Sequence, residues 1–301
     1  MPAATPGSDC LRLPPPDRYA VLRQPVAHSQ SPFIHAEFAR QTGQRLEYGK
    51  IECPLQAFET TLRAFIGTAD AAAGLGPVRG CNITVPFQFQ VLPLAQTVTP
   101  RAALAQAANV LCIAPDGWTA DNTDGIGLVQ DIQVSAGRSL AGQRVLLIGA
   151  GGAAAGVLGP LIEAGCAHIG VANRTADKAA ALVARHLNWA ERFGVPLQAS
   201  GLANCGEAYD LVLNSSASSL AGGEVPVHAR VLRPGTLAVD LMYGPAAARF
   251  LAWAAAHGAV GRDGLGMLVE QAAEAFALWR GVRPQTGPVL AALRARLAAL
   301  A

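Results

Sequence analysis

A glycine-rich turn at residues 149 to 154 is the stretch of this sequence best suited to bind a phosphate group. Gly149, Gly151 and Ala154 match the pattern G-x-G-x-x-G/A, and a short apolar run, residues 145–148, precedes them. The first glycine allows a tight turn, the second lets the backbone approach a pyrophosphate, and the small third residue lets a helix pack closely. That helix, predicted from about 153 to 164, presents free amides and its positive dipole end to the phosphates. The pattern predicts a dinucleotide site, although alone it is a weak signal.

The next apolar run, residues 168–172, indicates which dinucleotide is bound. It ends in Asn173, Arg174 and Thr175, with Lys178 one turn further on and no acid at the strand end. NAD sites place Asp or Glu here for the ribose 2′-hydroxyl, whereas NADP sites place Arg near the 2′-phosphate. The guanidinium, hydroxyl and ammonium groups therefore favour NADP. The alternative is that Thr175 only caps a helix and the charges are solvated.

Three polar clusters in the first half of the chain could bind a substrate. Each follows or ends a predicted strand, and the motif Asp-Asn-Thr-Asp-Gly, residues 121–125, comes after them. Ligands of α/β sheets bind beyond the carboxyl ends of the strands. Hydroxyls and amides with one carboxylate suit a small polyhydroxylated substrate that carries an acid group. Each residue also has a plainer interpretation as a helix cap or turn residue. The clusters are Ser29 with Ser31, Asn82 with Thr84, and Asn109.

The elements that must position these residues alternate between strands and helices, which predicts an α/β fold with mostly parallel strands. At 301 residues, two domains are expected. Predicted strands cover residues 19–22, 46–51, 80–86, 109–114, 118–120, 145–148, 168–172, 211–213 and 237–240. Predicted helices cover about 32–42, with Ser31 as cap, and 54–66, 87–92, 100–105, 153–164, 176–189, 246–257, 265–279 and 288–300.

Composition excludes several classes of protein. The net charge is +2 with no basic cluster, so neither nucleic acid nor an anionic membrane is an expected partner. Six cysteines lack any C-x-x-C spacing, so no disulfide framework or metal site is predicted. Residues 1–18 are Pro-rich and predict a flexible tail, not a secretion signal. The uncharged stretch 145–162 is long enough to span a membrane, but five glycines and Pro160 interrupt it. We expect a soluble, cytoplasmic protein.

Six segments together resemble the shikimate dehydrogenase family, in the family's order and across nearly the whole chain from residue 19. The serine loop and the Asp-Asn-Thr-Asp-Gly motif make the combination specific. The resemblance implies a substrate-binding domain, residues 19–123 and 264–301, and a Rossmann-type NADP domain, residues 124–263. It also implies reduction of 3-dehydroshikimate to shikimate, or chemistry on a close relative such as quinate or an aminoshikimate. The segments are 25–35, 82–87, 121–125, 149–153, 173–175 and 263–268.

The family likeness also implies roles for individual residues. Ser29 and Ser31 correspond to the ligands of the substrate carboxylate, with Tyr243 nearby. Thr84, Asn109, Asp124 and Gln271 correspond to residues that bind the ring hydroxyls. Gly264 corresponds to a residue against the nicotinamide. Together, this likeness and the motifs above predict the residues that bind the cofactor: Gly149, Gly151, Gly152, Ala153, Asn173, Arg174, Thr175, Lys178 and Gly264.

One position departs from the family where it matters most. The family places a lysine after Val-Pro-Phe, paired with the aspartate that corresponds to Asp124, and this chain has Gln88. Glutamine donates a hydrogen bond but carries no charge and does not titrate. Asp124 then acts alone as the base, or with His28 through water. The other lysines are Lys50 and Lys178, and neither is in a motif directed at Asp124.

Three interpretations of Gln88 stay open at the level of sequence. The chain is an NADP-dependent dehydrogenase that tolerates Gln88, a ligand- and NADP-binding protein of the same fold with little activity, or an engineered Lys→Gln variant. Smaller departures, Arg23-Gln24 in place of Gly and a small polar residue and Val110 in place of Thr, affect the expected substrate. A monomer and a homodimer are both compatible with the sequence.

Overall fold

The computed structural model describes residues 14–68, 73–216 and 225–299, which form two six-stranded sheets with helices packed around them. The predicted α/β class is confirmed. The predicted tail lies largely outside the described residues, which start at Pro14, and its predicted end was wrong because Asp17 and Arg18 belong to the first strand. Within the described ranges, no helix combines the length and the apolar character needed to cross a membrane. The predicted domain boundaries at residues 123/124 and 263/264 stay predictions.

The first sheet is mixed, in the order β2-β1-β3-β5-β6-β4. Strand β1 is parallel to β2 and β3, whereas β5 forms an antiparallel hairpin with β6. Helices α1, α2 and α3 belong to this half. The strands are β1 Asp17–Arg23, β2 Leu46–Glu52, β3 Val78–Ile83, β4 Thr97–Val98, β5 Val110–Ala114 and β6 Gly117–Asp121; the helices are α1 Ser31–Thr42, α2 Phe58–Ile66 and α3 Pro100–Ala105.

The second sheet is parallel throughout, in the order β12-β11-β10-β7-β8-β9. Its strand order reverses between β7 and β10, which opens a crevice at their carboxyl ends. The elements are α4 Asp124–Gln130, followed by a π-helical turn Asp131–Ser135, β7 Arg144–Ile148, α5 Gly152–Glu163, β8 His168–Asn173, α6 Ala176–Phe193, β9 Leu197–Gly201, β10 Leu211–Asn214, β11 Leu237–Asp240, α7 Pro245–Ala256 and β12 Val260–Arg262.

The central strand β7 explains why this sheet is covered on both faces. Val145 and Leu147 belong to one apolar cluster, and Leu146 and Ile148 belong to another on the opposite face. Helix α5 packs in the first cluster, and Phe250 of α7 packs in the second. Alternate side chains of one strand therefore need apolar cover on both sides, as in other parallel sheets.

Helix α8, Leu265–Arg280, connects the two halves and is followed by α9, Thr286–Ala298. It packs against Ile34 and Phe38 of α1, while its Met267 joins the core of the second sheet. Near its start, the fully buried Asp131 accepts a 2.7 Å hydrogen bond from Nε of Arg262. A Cβ at Gly266 would collide with the Asp131 carboxylate, so the helix approaches this ion pair closely. Helix α8 is therefore buried between both halves.

Several local predictions were wrong. Helix α2 begins at Phe58 and not at Pro54, because residues 55–56 form a turn first. Residues 88–90 form a turn, and only Leu92–Leu94 makes a short 3₁₀ helix. Ser31 is the first residue of α1, and the side chain of Gln30 at the cap position makes no capping hydrogen bond.

Candidate active site

The predicted substrate and catalytic residues line one cleft between the two sheets. About 240 Å³ of space is available there, enough for a small molecule. The carboxyl ends of β1, β3, β10 and β11 and the start of α8 surround this space, which is why residues distant in sequence meet. All eight predicted residues, Ser29, Ser31, Thr84, Gln88, Asn109, Asp124, Tyr243 and Gln271, face the cleft, together with Ala153 and Gly264 from the predicted cofactor set.

Asp124, the first residue of α4, places its carboxylate in the cleft wall. Its Oδ2 accepts a 2.9 Å hydrogen bond from Nε2 of Gln88, and its Oδ1 accepts a 2.7 Å bond from Nδ2 of Asn109. Burial raises the pKa of Asp124 from 3.8 to about 6, although both hydrogen bonds lower it. A carboxylate with this pKa can accept a proton near neutral pH more readily than an ordinary aspartate.

Asn109 fixes the orientation of this acid. Its Oδ1 accepts a 2.8 Å hydrogen bond from the backbone N–H of Thr123, so its Nδ2 must be directed at Asp124. The same Nδ2 also lies 3.1 Å from Oε1 of Gln271 on α8. Asn122 holds the adjacent backbone, since its Oδ1 accepts a 3.1 Å bond from the Asp124 N–H. The Asp-Asn-Thr-Asp-Gly motif is thus a rigid support for one carboxylate.

Gln88 lies between the acid and the glycine-rich turn. Its side chain is buried, and its amide nitrogen is bound to Asp124 as described. On the other side, a Cβ at Gly152 would collide with Oε1 of Gln88. Position 152 therefore accommodates only glycine while Gln88 keeps this place. The one amide group touches both the substrate side of the cleft and the start of α5.

The serine loop forms another wall of the cleft. Ser29 and Ser31 are buried, with their hydroxyl oxygens 3.3 Å apart. Lys50 donates a 2.7 Å hydrogen bond to the backbone oxygen of Ala27 and so holds this loop. The Tyr48 hydroxyl donates a 2.6 Å bond to Oδ1 of Asn82, a residue that also lines the cleft. Sequence reasoning missed Tyr48, because nothing in the pattern of β2 sets it apart from a core tyrosine.

The predicted cofactor residues other than Gly264 lie at or just beyond the carboxyl ends of β7 and β8. Gly149 has φ +112°, and a Cβ there would collide with Ser215, whereas a Cβ at Gly151 would meet nothing within 4 Å. The turn is therefore open toward solvent at Gly151. No side chain caps α5, so its first backbone amides are available to an anion.

The residues predicted to bind the 2′-phosphate are on the surface beside this turn. Arg174, Thr175 and Lys178 are exposed, and Asn173 holds the loop through a 2.9 Å bond from Nδ2 to the Thr175 backbone oxygen. Thr175 occupies the cap position of α6, but its side chain makes no capping bond. Gly264 is explained by packing, because a Cβ there would collide with the backbone oxygen of Leu241.

The parallel sheet with an open glycine turn, beside a cleft with one partly buried acid, is the arrangement of a two-domain α/β oxidoreductase. Comparison with known proteins identifies which one. The chain matches the family models described as shikimate dehydrogenase substrate binding domain over residues 21–111, shikimate / quinate 5-dehydrogenase over residues 131–233, and shikimate 5′-dehydrogenase C-terminal domain over residues 264–294. The chain belongs to the shikimate dehydrogenase family.

Individual relatives span nearly the full chain. The shikimate dehydrogenase (NADP(+)) of Methylibium petroleiphilum is 62% identical over 93% of this chain and 94% of its own length. Among solved structures, an Ael1 enzyme from Pseudomonas putida is 43% identical with a TM-score of 0.80, covering 92% of this chain and 98% of that one. Shikimate 5-dehydrogenase from Thermus thermophilus, solved with NADP(H) and shikimate, is 31% identical with a TM-score of 0.78 and the same coverages.

Proposed function

We propose that this protein catalyses the NADP-dependent reduction of 3-dehydroshikimate to shikimate and the reverse oxidation, a step toward chorismate and aromatic amino acids. The observation that carries this is Asp124, a cleft acid with its pKa raised to about 6 and both oxygens held by neutral donors. The names of the relatives support the same activity. The M. petroleiphilum relative is named for NADP(+), and the T. thermophilus structure holds shikimate and NADP(H).

The residues of the second half fit NADP. The open turn at Gly151 and the uncapped start of α5 suit a pyrophosphate, and exposed Arg174 and Lys178 suit a 2′-phosphate. When bound, this cofactor supplies or accepts the hydride. The chain's task is then to position the substrate and to handle one proton.

We assign that proton to Asp124. In the oxidation of a secondary alcohol, the carboxylate accepts the hydroxyl proton; in the reduction, the protonated acid returns it to the carbonyl oxygen. Gln88 and Asn109 each occupy one acceptor site of the carboxylate and leave the others to the substrate hydroxyl. They orient the acid without titrating, so one ionisation controls the proton step.

Other groups are poorly placed to share this role. Lys50 is bound to the Ala27 backbone oxygen, Lys178 is exposed on α6, and His28 is exposed outside the residues that line the cleft. Asp124 therefore acts without a charged partner, and Gln88 serves as a neutral positioning residue. This favours a working dehydrogenase over the binding-protein alternative, because the acid keeps a pKa suited to proton transfer.

Compartment and assembly complete the proposal. The cysteines of the described residues, Cys53, Cys81, Cys112, Cys166 and Cys205, are all free, which suits a reducing compartment such as the cytoplasm. A monomer or a homodimer is compatible with a cleft that is formed within one chain. We also propose that the substrate domain comprises residues 19–123 and 264–301.

The test is steady-state oxidation of shikimate and quinate with NADP⁺ and NAD⁺, from about pH 5 to about pH 9. We expect the parent to prefer shikimate and NADP⁺, with kcat rising through an apparent pKa near the value of about 6 given for Asp124. Asp124→Asn is expected to lower kcat by about 10²–10⁴. The control Asp116→Asn, in the exposed turn of the β5–β6 hairpin, keeps full activity. A parent that oxidises neither compound, or a fully active Asp124→Asn, contradicts the proposal.

A further inference from the structure

Arg23 is a cleft residue for which the shikimate dehydrogenase resemblance provides no role. It is the last residue of β1, at the carboxyl end of the strand, and its side chain lines the cleft. Both neighbouring strands hold it in place. The backbone N–H of Cys53 donates a 3.1 Å bond to the Arg23 oxygen, and the N–H of Thr84 donates a 3.3 Å bond to the oxygen of Leu22. The backbone at this position is therefore fixed.

The guanidinium of Arg23 has no anionic partner among residues 14–68, 73–216 and 225–299. No carboxylate of that set lies within 4.0 Å of it, and its buried Nε has no hydrogen-bond partner. Other half-buried arginines do reach a carboxylate: Arg101 binds Asp121, and Arg262 binds Asp131. A partly desolvated cation without a counter-ion is costly unless a ligand supplies the charge.

The charges of the cleft are separated. Of the described residues that line it, Arg23 is the one cation and Asp124 is the one acid, and they form no ion pair. The charge of Arg23 instead influences Tyr243. Burial raises the pKa of the Tyr243 hydroxyl, and the positive charge of Arg23 lowers that pKa and so reduces the rise. Tyr243 and the Ser29 and Ser31 hydroxyls are further donors in the same cleft. The cleft thus offers donors and a positive charge that is not paired with the proton-handling acid.

We propose that Arg23 is a specificity residue that pairs with the carboxylate of the substrate, in addition to the serine hydroxyls. The inference rests on the proposed function, since it assigns the acid group of the same ring substrate. A guanidinium binds a carboxylate through charge-assisted, bidentate hydrogen bonds, which a hydroxyl cannot form. Arg23 therefore favours a cyclic hydroxy acid over an uncharged ring of the same size, because only the acid supplies an anionic group for the guanidinium.

The test compares a charged and a neutral substrate. The KM of shikimate and of its methyl ester, with saturating NADP⁺, is measured for the parent, Arg23→Met and Arg23→Lys. Loss of a charge-assisted bond is expected to raise the KM of shikimate about 10- to 100-fold in Arg23→Met. The KM of the ester and the KM of NADP⁺ stay within about twofold, and Arg23→Lys recovers only part of the loss, because an ammonium keeps the charge but cannot form the bidentate hydrogen bonds.

A matched control separates a local contact from a change in net charge. Arg192→Met removes an exposed cation that stacks on Trp189 in α6, and it leaves every constant unchanged. Equal losses for shikimate and ester, a rise in the KM of NADP⁺ alone, or an unaltered Arg23→Met overturn the role of Arg23 while the proposed function stands. A parent that oxidises neither shikimate nor its ester contradicts the proposed function and this inference with it.

Discussion

Replacing Asp124 with asparagine is expected to stabilise the folded protein at neutral pH, although it removes the proposed base. Burial raises the pKa of Asp124 from 3.8 to about 6. A carboxyl group whose pKa is higher in the folded state binds more protons when folded, so ionisation lowers the free energy of unfolding. The folded protein therefore loses stability as the pH rises from about 4 to about 6, and this loss is complete above that range.

The size of the effect follows from the same values. A rise from 3.8 to about 6 corresponds to at most about 3 kcal/mol, and solvent screening reduces it because Asp124 is only partly buried. Asparagine also has one acceptor oxygen for two donors. Asn109 cannot turn, because Thr123 holds its Oδ1, whereas Gln88 can rotate its amide to meet the new donor. We expect a net gain of about 1–2 kcal/mol.

The assay is urea unfolding of the substrate-free parent and Asp124→Asn between about pH 4.5 and about pH 8. The two curves converge at the acid end and separate at neutral pH. Asp121→Asn is the control of opposite sign. Burial alone raises the pKa of Asp121, but Arg101, Thr99 and the Asn122 N–H lower it overall, so this variant loses stability at neutral pH. Equal stability of Asp124→Asn and parent near pH 7.5, or a difference that does not change with pH, refutes the reasoning.

Three further predictions follow from the site and from α8. Gln88→Lys places a cation against Asp124 and is expected to lower the pKa of that acid by about 1–3. The kcat of shikimate oxidation near pH 6 then rises. A pH–rate profile whose lower apparent pKa is the same as in the parent contradicts this prediction. Arg174→Ala is expected to raise the KM of NADP⁺ about 10-fold and to leave the KM of NAD⁺ unchanged. Equal changes in the two KM values would exclude a contact between Arg174 and the 2′-phosphate. Gly266→Ala inserts a methyl group against the buried carboxylate of Asp131 and is expected to lower the free energy of unfolding, measured in urea, by about 2–4 kcal/mol. A decrease below about 1 kcal/mol would contradict this and show that α8 can shift.

The sequence predicted the central strands far better than the edges. The apolar runs that became β7 and β11 were located to within one residue, because a strand buried on both faces is apolar throughout. Strands β4, β9 and β12 were missed. Each forms an edge of its sheet, and exposed residues such as Thr97, Gln198 and Val260 leave them without a continuous apolar run. The edge strand β2 was predicted, so short or exposed edge strands are the ones that give little signal in a single sequence.

The clustering of the site was predictable, but its contacts were not. Polar residues after several strands were expected to meet, because the carboxyl ends of parallel strands share one edge. The hydrogen bond from Gln88 to Asp124 joins residues 36 apart, and that from Lys50 to Ala27 joins residues 23 apart. Such pairs depend on register and side-chain rotamer, which periodicity does not determine. The unpartnered Arg23 was visible only as a departure from the family pattern.

The position of Gln88 has a consequence for how the two ligands influence each other. One amide group is bound to Asp124 and also abuts Gly152 at the start of α5. We expect that a movement of α5 toward Gln88 when a dinucleotide binds displaces this group and alters its hydrogen bond to Asp124. Thermodynamic reciprocity then requires that the factor by which the dinucleotide alters shikimate affinity equals the factor by which shikimate alters dinucleotide affinity. We therefore expect this neutral side chain to couple the affinities of the two ligands.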